Sequence, residues 1–228
     1  MRKLSLLFII LSMMSFNALK DKELGAFEFF QEKIKLPEPR HDSKISMEKA
    51  LKERRSVRHY RNEPLTISEI SQLLWAAQGI TASGGLRTAP SAGALYPLEV
   101  YIIVGNVTNM KSGIYKYIPE SHELVKVIEG DKRSELSNAA LHQSPIKDAP
   151  AVIVIYAVYE RTTGKYGERG IRYVHMEAGH AAQNIVLQAV SLNLGTVVIG
   201  AFKDEMVKKA LNLGDKEDPL SIIPVGRK

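Results

Sequence analysis

The sequence predicts an α+β sandwich built as one domain, and three observations carry that reading. Helix-like and strand-like patterns alternate along the 228 residues without the even spacing of a doubly wound sheet, and no internal repeat is present. Ala151 to Val158 is an unbroken apolar run, which suits a central strand covered on both faces. Tyr173 to Leu192 has helical spacing, is rich in Ala and Gly, and is closed by Asn193 and Gly195. A chain of this length buries one core rather than two large ones. Its 45% apolar and 25% charged residues are those of an ordinary globular protein.

Taken in order, Met1 to Lys3 form a charged start, Leu4 to Met14 an apolar run broken only by Ser5 and Ser12, and Ser15 to Ala18 a smaller, more polar exit. Residues 1–18 therefore read as an export signal, because the run is shorter than the roughly 20 residues that span a bilayer. Phe16 is bulky where a cleavage site wants a small residue, so retention as an anchor is the second reading. A third is an apolar helix docked on the domain or on its mate. An exported or envelope-associated location follows if the segment is functional and a cytoplasmic one otherwise, with membrane contact only through a retained anchor. Residues 19–45 read as a connector, polar and Pro-containing from Lys33 to Asp42, and residues 46–228 as the domain.

Within the domain, Met47, Ala50 and Leu51 begin a helix that ends in the basic residues Arg54, Arg55 and Arg58. Pro64 to Thr66 form a turn, and Ser68 with Ile70, Leu73, Leu74 and Ala77 predicts a second helix ending at Gly79. Thr81 to Gly93, rich in Ser, Gly and Ala, reads as a long loop of the kind kept for function. Val100 to Val104 is a short strand, and Gly113 to Tyr117 with Leu124 to Ile128 a hairpin. After the central strand, Tyr166 and Arg169 read as part of a polar loop. Thr196 to Ile199 is a strand, Lys203 to Leu211 a helix, and Leu220 to Val225 a last strand.

Charge and composition exclude several functions. The formal charge of +6 falls to +4 without Arg2 and Lys3, and basic residues stand beside Asp and Glu rather than in one stripe, so no nucleic-acid groove is expected. Cysteine is absent, which removes disulfides, thiolate nucleophiles and Cys-ligated metals. His175 and His180 are set about 140° apart around a helix and do not converge, so no metal site is expected. Glu177, between them, stands among small residues on a helix suited to close packing. Ser91 lacks the G-x-S-x-G frame of a hydrolase nucleophile.

Three segments carry chemistry. Arg54-Arg55-Ser56-Val57-Arg58 places forked cationic donors and a hydroxyl together, as a phosphate requires, although basic residues also suit a plain helix end. Ala89-Pro90-Ser91-Ala92-Gly93-Ala94-Leu95-Tyr96-Pro97 is a stiff turn of small residues between prolines, fit to approach a flat ligand or to be a surface loop. Thr196 to Phe202 leaves a strand through Gly200 and Ala201, whose backbone N–H groups suit a heterocycle that gains negative charge, or simply end a buried strand.

In this order and spacing, these segments resemble the nitroreductase family, and within it the branch similar to the dehydrogenase component of thiazole and oxazole peptide maturases. The resemblance covers about residues 46 to 228. It includes the block Asp148 to Val158, Tyr166-Gly167-Glu168-Arg169, Met176-Glu177-Ala178-Gly179-His180 with Gln183-Asn184, and the closing Pro224-Val225-Gly226-Arg227. It implies a central, mostly antiparallel mixed sheet flanked by helices, with FMN held at a homodimer interface. On that resemblance Arg54, Arg55, Ser56 and Arg58 contact the phosphate and polar edge of the flavin, and Pro90, Ser91, Ala92, Gly93 and Leu95 form the turn the partner lays on the ring. Ile199, Gly200 and Ala201 present backbone donors near its reactive edge, Gln143 is a polar contact and Arg227 a late phosphate contact. Tyr166 and Arg169 are then at the substrate mouth.

The implied activity is electron transfer from NADH or NADPH through FMN to a small acceptor such as a nitroaromatic or a quinone, with no obligatory side-chain acid or base. The alternatives are oxidation of azoline rings in a peptide and a flavin-binding protein without turnover. Members of the family often continue into an arm that wraps the partner, whereas this sequence ends at Lys228. A less interlocked dimer and a fraying Arg227 are the expectation.

Overall fold

The computed structural model describes residues 32–228 apart from 213 and 215, so the signal-like segment 1–18 lies outside the described residues. Within the stretch read as connector, Lys33–Lys35 forms an edge strand, β1, and Leu36 enters the core. Among the described residues no helix is long and apolar enough to cross a membrane.

Two helices follow. Ser46 caps α1 (Met47–Glu53) by accepting the Lys49 amide at 3.2 Å. Thr66 and Glu69 cap α2 (Ile67–Gln78) reciprocally, each side chain accepting the other's backbone N–H. The long loop contains a small hairpin, β2 (Ile80–Ala82) with β3 (Leu86–Arg87), and one 3-10 turn at Ala92–Ala94.

The main strands are β4 (Leu98–Val104), β5 (Gly113–Ile118), β6 (Glu123–Glu129), β7 (Ala151–Ala157), β8 (Leu194–Thr196) and β9 (Asp218–Arg227). With β1 they form one sheet in the order β1-β6-β5-β4-β7-β9-β8, each neighbouring pair antiparallel. Among the described residues, parallel pairing is confined to two isolated bridges, Ser56 with Thr196 at the β8 edge and Leu65 with Val107.

Every residue of β7 is buried, and period two sorts its side chains between two cores. Ala151, Ile153 and Ile155 join Val100 and Ile102 on the face covered by α2 and by α6 (Arg169–Ser191), which supplies Val174, Ala178, Ala181, Ile185 and Ala189 at helical spacing. Val152, Val154 and Tyr156 join Tyr101 and Ile103 on the other face. That face is covered by α3 (Arg133–Ala139), α4 (Ser144–Asp148) and α7 (Asp204–Leu211), through Leu136, Ile146, Val207 and Leu211.

The polar loop expected around Tyr166 and Arg169 is instead a helix pair. Tyr166 ends α5 (Glu160–Tyr166), Gly167 breaks the helix at φ 57°, and Arg169 begins α6. Only Thr162 of α5 is buried, so the helix carries no apolar periodicity to read. The strand expected at Thr196 to Ile199 is shorter too. β8 ends at Thr196, Val198 is exposed, and Ile199 rejoins the sheet through a bridge to Ile222.

Candidate functional site

The basic segment leaves α1 and runs along the β8 edge. The Val57 amide donates to the Thr196 carbonyl at 2.8 Å, and the Arg61 amide to the Arg227 carbonyl at 3.0 Å. Gly195 and Gly226, cross-strand partners in β8 and β9, make room for it. A Cβ on Gly195 would stand 2.7 Å from the Val57 side chain, and one on Gly226 2.7 Å from the Tyr60 ring. Such contacts would force the segment off the strands.

Its four polar residues do different things. Arg55 donates to the Lys52 carbonyl at 3.0 Å and the Arg54 carbonyl at 2.6 Å, satisfying the open end of α1. Arg54 and Arg58 form no ion pair among the described residues, and Ser56 is exposed beside Thr196.

Thr196 to Ala201 connects this segment to the second group. Ile199 is buried and exchanges both backbone hydrogen bonds with Ile222, at 2.8 and 2.9 Å, which leaves Gly200 and Ala201 exposed just beyond the sheet. Gln143, preceding α4, donates from Nε2 to the Ala201 carbonyl at 2.8 Å and to the Ala140 carbonyl at 3.0 Å. Nothing lies within 4 Å of where a Gly200 Cβ would be, so the backbone there is open to a flat partner. Two guanidinium groups, a hydroxyl and an open backbone turn thus share one sheet edge.

The Pro90 to Leu95 turn is built separately. Among the described residues no hydrogen bond joins it to Arg54–Arg58 or to Gly200–Ala201. Pro90 and Gly93 are exposed, and Ser91, Ala92 and Leu95 are half-buried. Gly93 has φ 64°, Ala94 φ 53° and Tyr96 φ 46°. For Ala and Tyr this left-handed backbone costs roughly 1–2 kcal/mol each, so the surroundings must hold it. Ser91 Oγ accepts the Tyr96 amide at 3.0 Å, the Arg161 guanidinium donates to the Tyr96 carbonyl at 3.0 Å, and the Arg87 guanidinium lies 4.4 Å from the Tyr96 ring centre. A Cβ on Gly93 would meet Tyr166 Oη at 2.8 Å and Lys165 Nζ at 3.1 Å, so the end of α5 reaches across the turn.

Arg227 is ordered in β9, in register with Leu194, rather than frayed. Its guanidinium grips Glu69 through two hydrogen bonds, of 2.6 and 3.0 Å, and so braces the α2 cap.

The sequence placed Glu177 on a closely packed helix but not among polar partners. Glu177 is 2% exposed, and burial pushes its carboxyl from 4.5 up to about 7, opposed by the Ser91 hydroxyl, the Arg87 guanidinium and the Gln78 amide. A carboxylate on the Ala-rich face of α6 was the signal in the sequence. Its partners come from three distant segments and were not legible there.

The model of a protein family described as the nitroreductase family matches residues 51–227. The chain belongs to the nitroreductase family. A nitroreductase-family protein of Methanocaldococcus jannaschii, MJ1384, is 52% identical over 184 residues, covering 81% of this chain and 92% of that protein. The Escherichia coli microcin B17-processing protein McbC is 32% identical over 158 residues, covering 67% of this chain and 58% of McbC. The crystal structure of a Ralstonia eutropha nitroreductase-family protein superposes with a TM-score of 0.77 at 30% identity, over 89% of this chain and 92% of that one. The nitroreductase fold therefore underlies both residue groups, and membership of the family supports an oxidoreductase.

Proposed function

We propose that this nitroreductase-family chain is an FMN-dependent oxidoreductase. It acts as a homodimer that takes electrons from NADH or NADPH and gives them to a small acceptor such as a nitroaromatic or a quinone. The observation that carries the reading is the seating of the basic segment on β8, which sets Arg54, Ser56 and Arg58 beside the strand that leads to Gly200 and Ala201. Two guanidinium groups without ion-pair partners among the described residues fit a phosphate dianion, and the open backbone at Gly200 fits the edge of a ring.

When bound, FMN supplies reversible hydride storage. The chain supplies the rest. Arg54, Arg58 and Ser56 bind the phosphate, and the Gly200 and Ala201 backbone offers donors where negative charge accumulates. Gln143 keeps that backbone in place from below through Ala201. The separation of the Pro90–Leu95 turn from this group favours a dimer in which the turn of one copy covers the ring held by the other. The exposed α6 face with Arg172, Met176, Gly179 and Gln183 is the surface proposed for that contact.

The match to McbC favours a second reading, oxidation of azoline rings in a peptide, in which electrons flow from substrate to flavin. An anaerobic absorption spectrum of the purified protein, before and after NADH and then NADPH, tests the set. A yellow protein that bleaches supports the reductase and identifies its donor. A yellow protein that does not bleach favours the peptide reading or a flavin carrier without turnover, and a colourless one that takes up no FMN refutes the flavin function.

A further inference from the structure

The structure holds a cavity that no residue assigned to the flavin lines. Its volume is about 290 Å³, and it opens between the connector, α1, α2 and the second half of α6. Ala50 of α1 and Ala76 of α2 are buried beneath it, with Ile45 and Leu187 half-buried at its sides. Trp75 forms an aromatic wall. A side chain at Gly79 would run into the pyrrole edge of this indole, and the His41 ring tilts against it with 5.4 Å between ring centres, so the indole is held in place.

Backbone groups fix how the side-chain amides of the lining are turned. The Arg40 N–H donates to Gln72 Oε1 at 2.8 Å, so Gln72 Nε2 donates to the Arg40 carbonyl at 2.9 Å and to Gln188 Oε1 at 3.2 Å. Gln188 thereby keeps its Nε2 hydrogens unused. Asn184 donates from Nδ2 to the Thr88 carbonyl at 3.3 Å, which leaves Oδ1 unused. The hydroxyls of the lining are committed elsewhere. Thr88 Oγ1 donates to the Trp75 carbonyl at 3.1 Å, Ser46 caps α1, and Ser43 and Ser191 pair with each other at 2.7 Å. Among the described residues, an acceptor on Asn184 and a donor on Gln188 are thus left over in the lining, four residues apart on one face of α6.

We propose that this cavity binds a neutral fused bicyclic lactam, a flat pair of rings with a carbonyl beside a ring N–H, as in a quinazolinone. The rings lie on Trp75, the ring N–H donates to Asn184 Oδ1, and the ring carbonyl accepts from Gln188 Nε2. The inference is independent of the flavin reading, because the two residue sets do not overlap.

Size, spacing and charge select this class. A dry cavity of about 150 Å³ holds one benzene ring, and this cavity is about twice as large. Side chains four apart on a helix have Cβ atoms about 5–6 Å apart, so a carbonyl and an adjacent N–H reach both amides at once. A ring without that edge leaves both amide groups unpaired when it displaces water from them. The mouth carries Arg40 and Asp42, one charge of each sign, which suits a ligand without net charge.

Titration of the full-length protein with a quinazolinone that has a free ring N–H beside its carbonyl tests the proposal. The chain has one tryptophan, so the indole N–H signal in a nitrogen–proton NMR spectrum belongs to Trp75 and reports on the cavity. That signal shifts saturably, with half-saturation below about 1 mM. The N-methylated quinazolinone, which cannot donate to Asn184, binds at least about tenfold more weakly. Gln188→Glu keeps the oxygen that accepts from Gln72 but replaces the donor nitrogen, and weakens the free N–H compound by a similar factor. The methylated compound probes the same edge in the wild type, so the test stands even where the variant does not fold. An indole signal that does not move, or equal binding of the two compounds, overturns the proposal. So does displacement of the quinazolinone by FMN, which would make the cavity part of the flavin site, or an indole signal that moves on dilution of the protein alone, which would seat a second copy there.

Discussion

Replacing Glu177 by Gln removes one proton equilibrium at nearly constant volume, and its effect on stability can be worked out from the site. In the folded chain the carboxyl is pushed from 4.5 up to about 7, chiefly by burial. Between those two pH values the folded state keeps a proton that the unfolded chain has released. The stability that the neutral carboxyl confers is therefore fully present below about pH 4.5 and is lost as the pH rises through about 7. A displacement of about 2.5 pH units at about 1.4 kcal/mol each amounts to about 3.5 kcal/mol, an upper figure for a carboxyl that relaxes or draws in water when ionised. Urea unfolding of both proteins from about pH 5 to about pH 8 gives the comparison. Glu177→Gln and the wild type should be close at the acid end, and the variant should gain on the wild type by up to about 3.5 kcal/mol by about pH 8. Groups that titrate in both proteins cancel in the difference. A difference that stays flat with pH would refute the idea that this carboxyl is neutralised by burial.

The remaining predictions concern the sheet edge. Removal of Arg54 or Arg58 as Ala should weaken FMN binding by roughly tenfold to a hundredfold, the worth of a charge-assisted hydrogen bond. Arg55→Ala should change it by less than about threefold, because that guanidinium serves the α1 carbonyls; fluorescence titration with FMN reads all three. Gly195→Ala should push Val57 off β8, destabilise the fold by about 1–3 kcal/mol and weaken FMN binding with it, whereas full affinity would show that the segment does not need its seat on the strand. Glu69→Ala breaks the α2 cap and the Arg227 pair together, and denaturant unfolding should show a loss of about 1–3 kcal/mol.

Much of the fold was written in periodicity. Ala151 to Val158 announced a strand buried on both faces, and β7 is that strand, its alternate side chains divided between the two cores. The hairpin of β5 and β6, the helices α1, α2, α6 and α7, and the strand β9 were also read from local patterns. The elements that were missed carry little pattern. β1 has three residues, α4 has five, and α5 buries only Thr162, so neither period two nor period 3.6 has room to show itself.

The sequence by itself determined which chemistry is available: a run of guanidinium groups with a hydroxyl, a turn of small residues between prolines, and a strand that exits through Gly200 and Ala201. Each is a local property of neighbouring residues. Only the tertiary structure decided how they are used. The register of β8 with β9 places Gly195 opposite Gly226 and so seats the basic segment, leaves Arg54 and Arg58 without partners among the described residues, and commits Arg55 to α1 and Arg227 to Glu69. Packing of α6 brings Glu177 to Gln78, Arg87 and Ser91, residues more than eighty positions away along the chain. Periodicity tells which face of an element is buried, but the partner that face meets is set by long-range strand register and helix packing, which no local window of sequence contains.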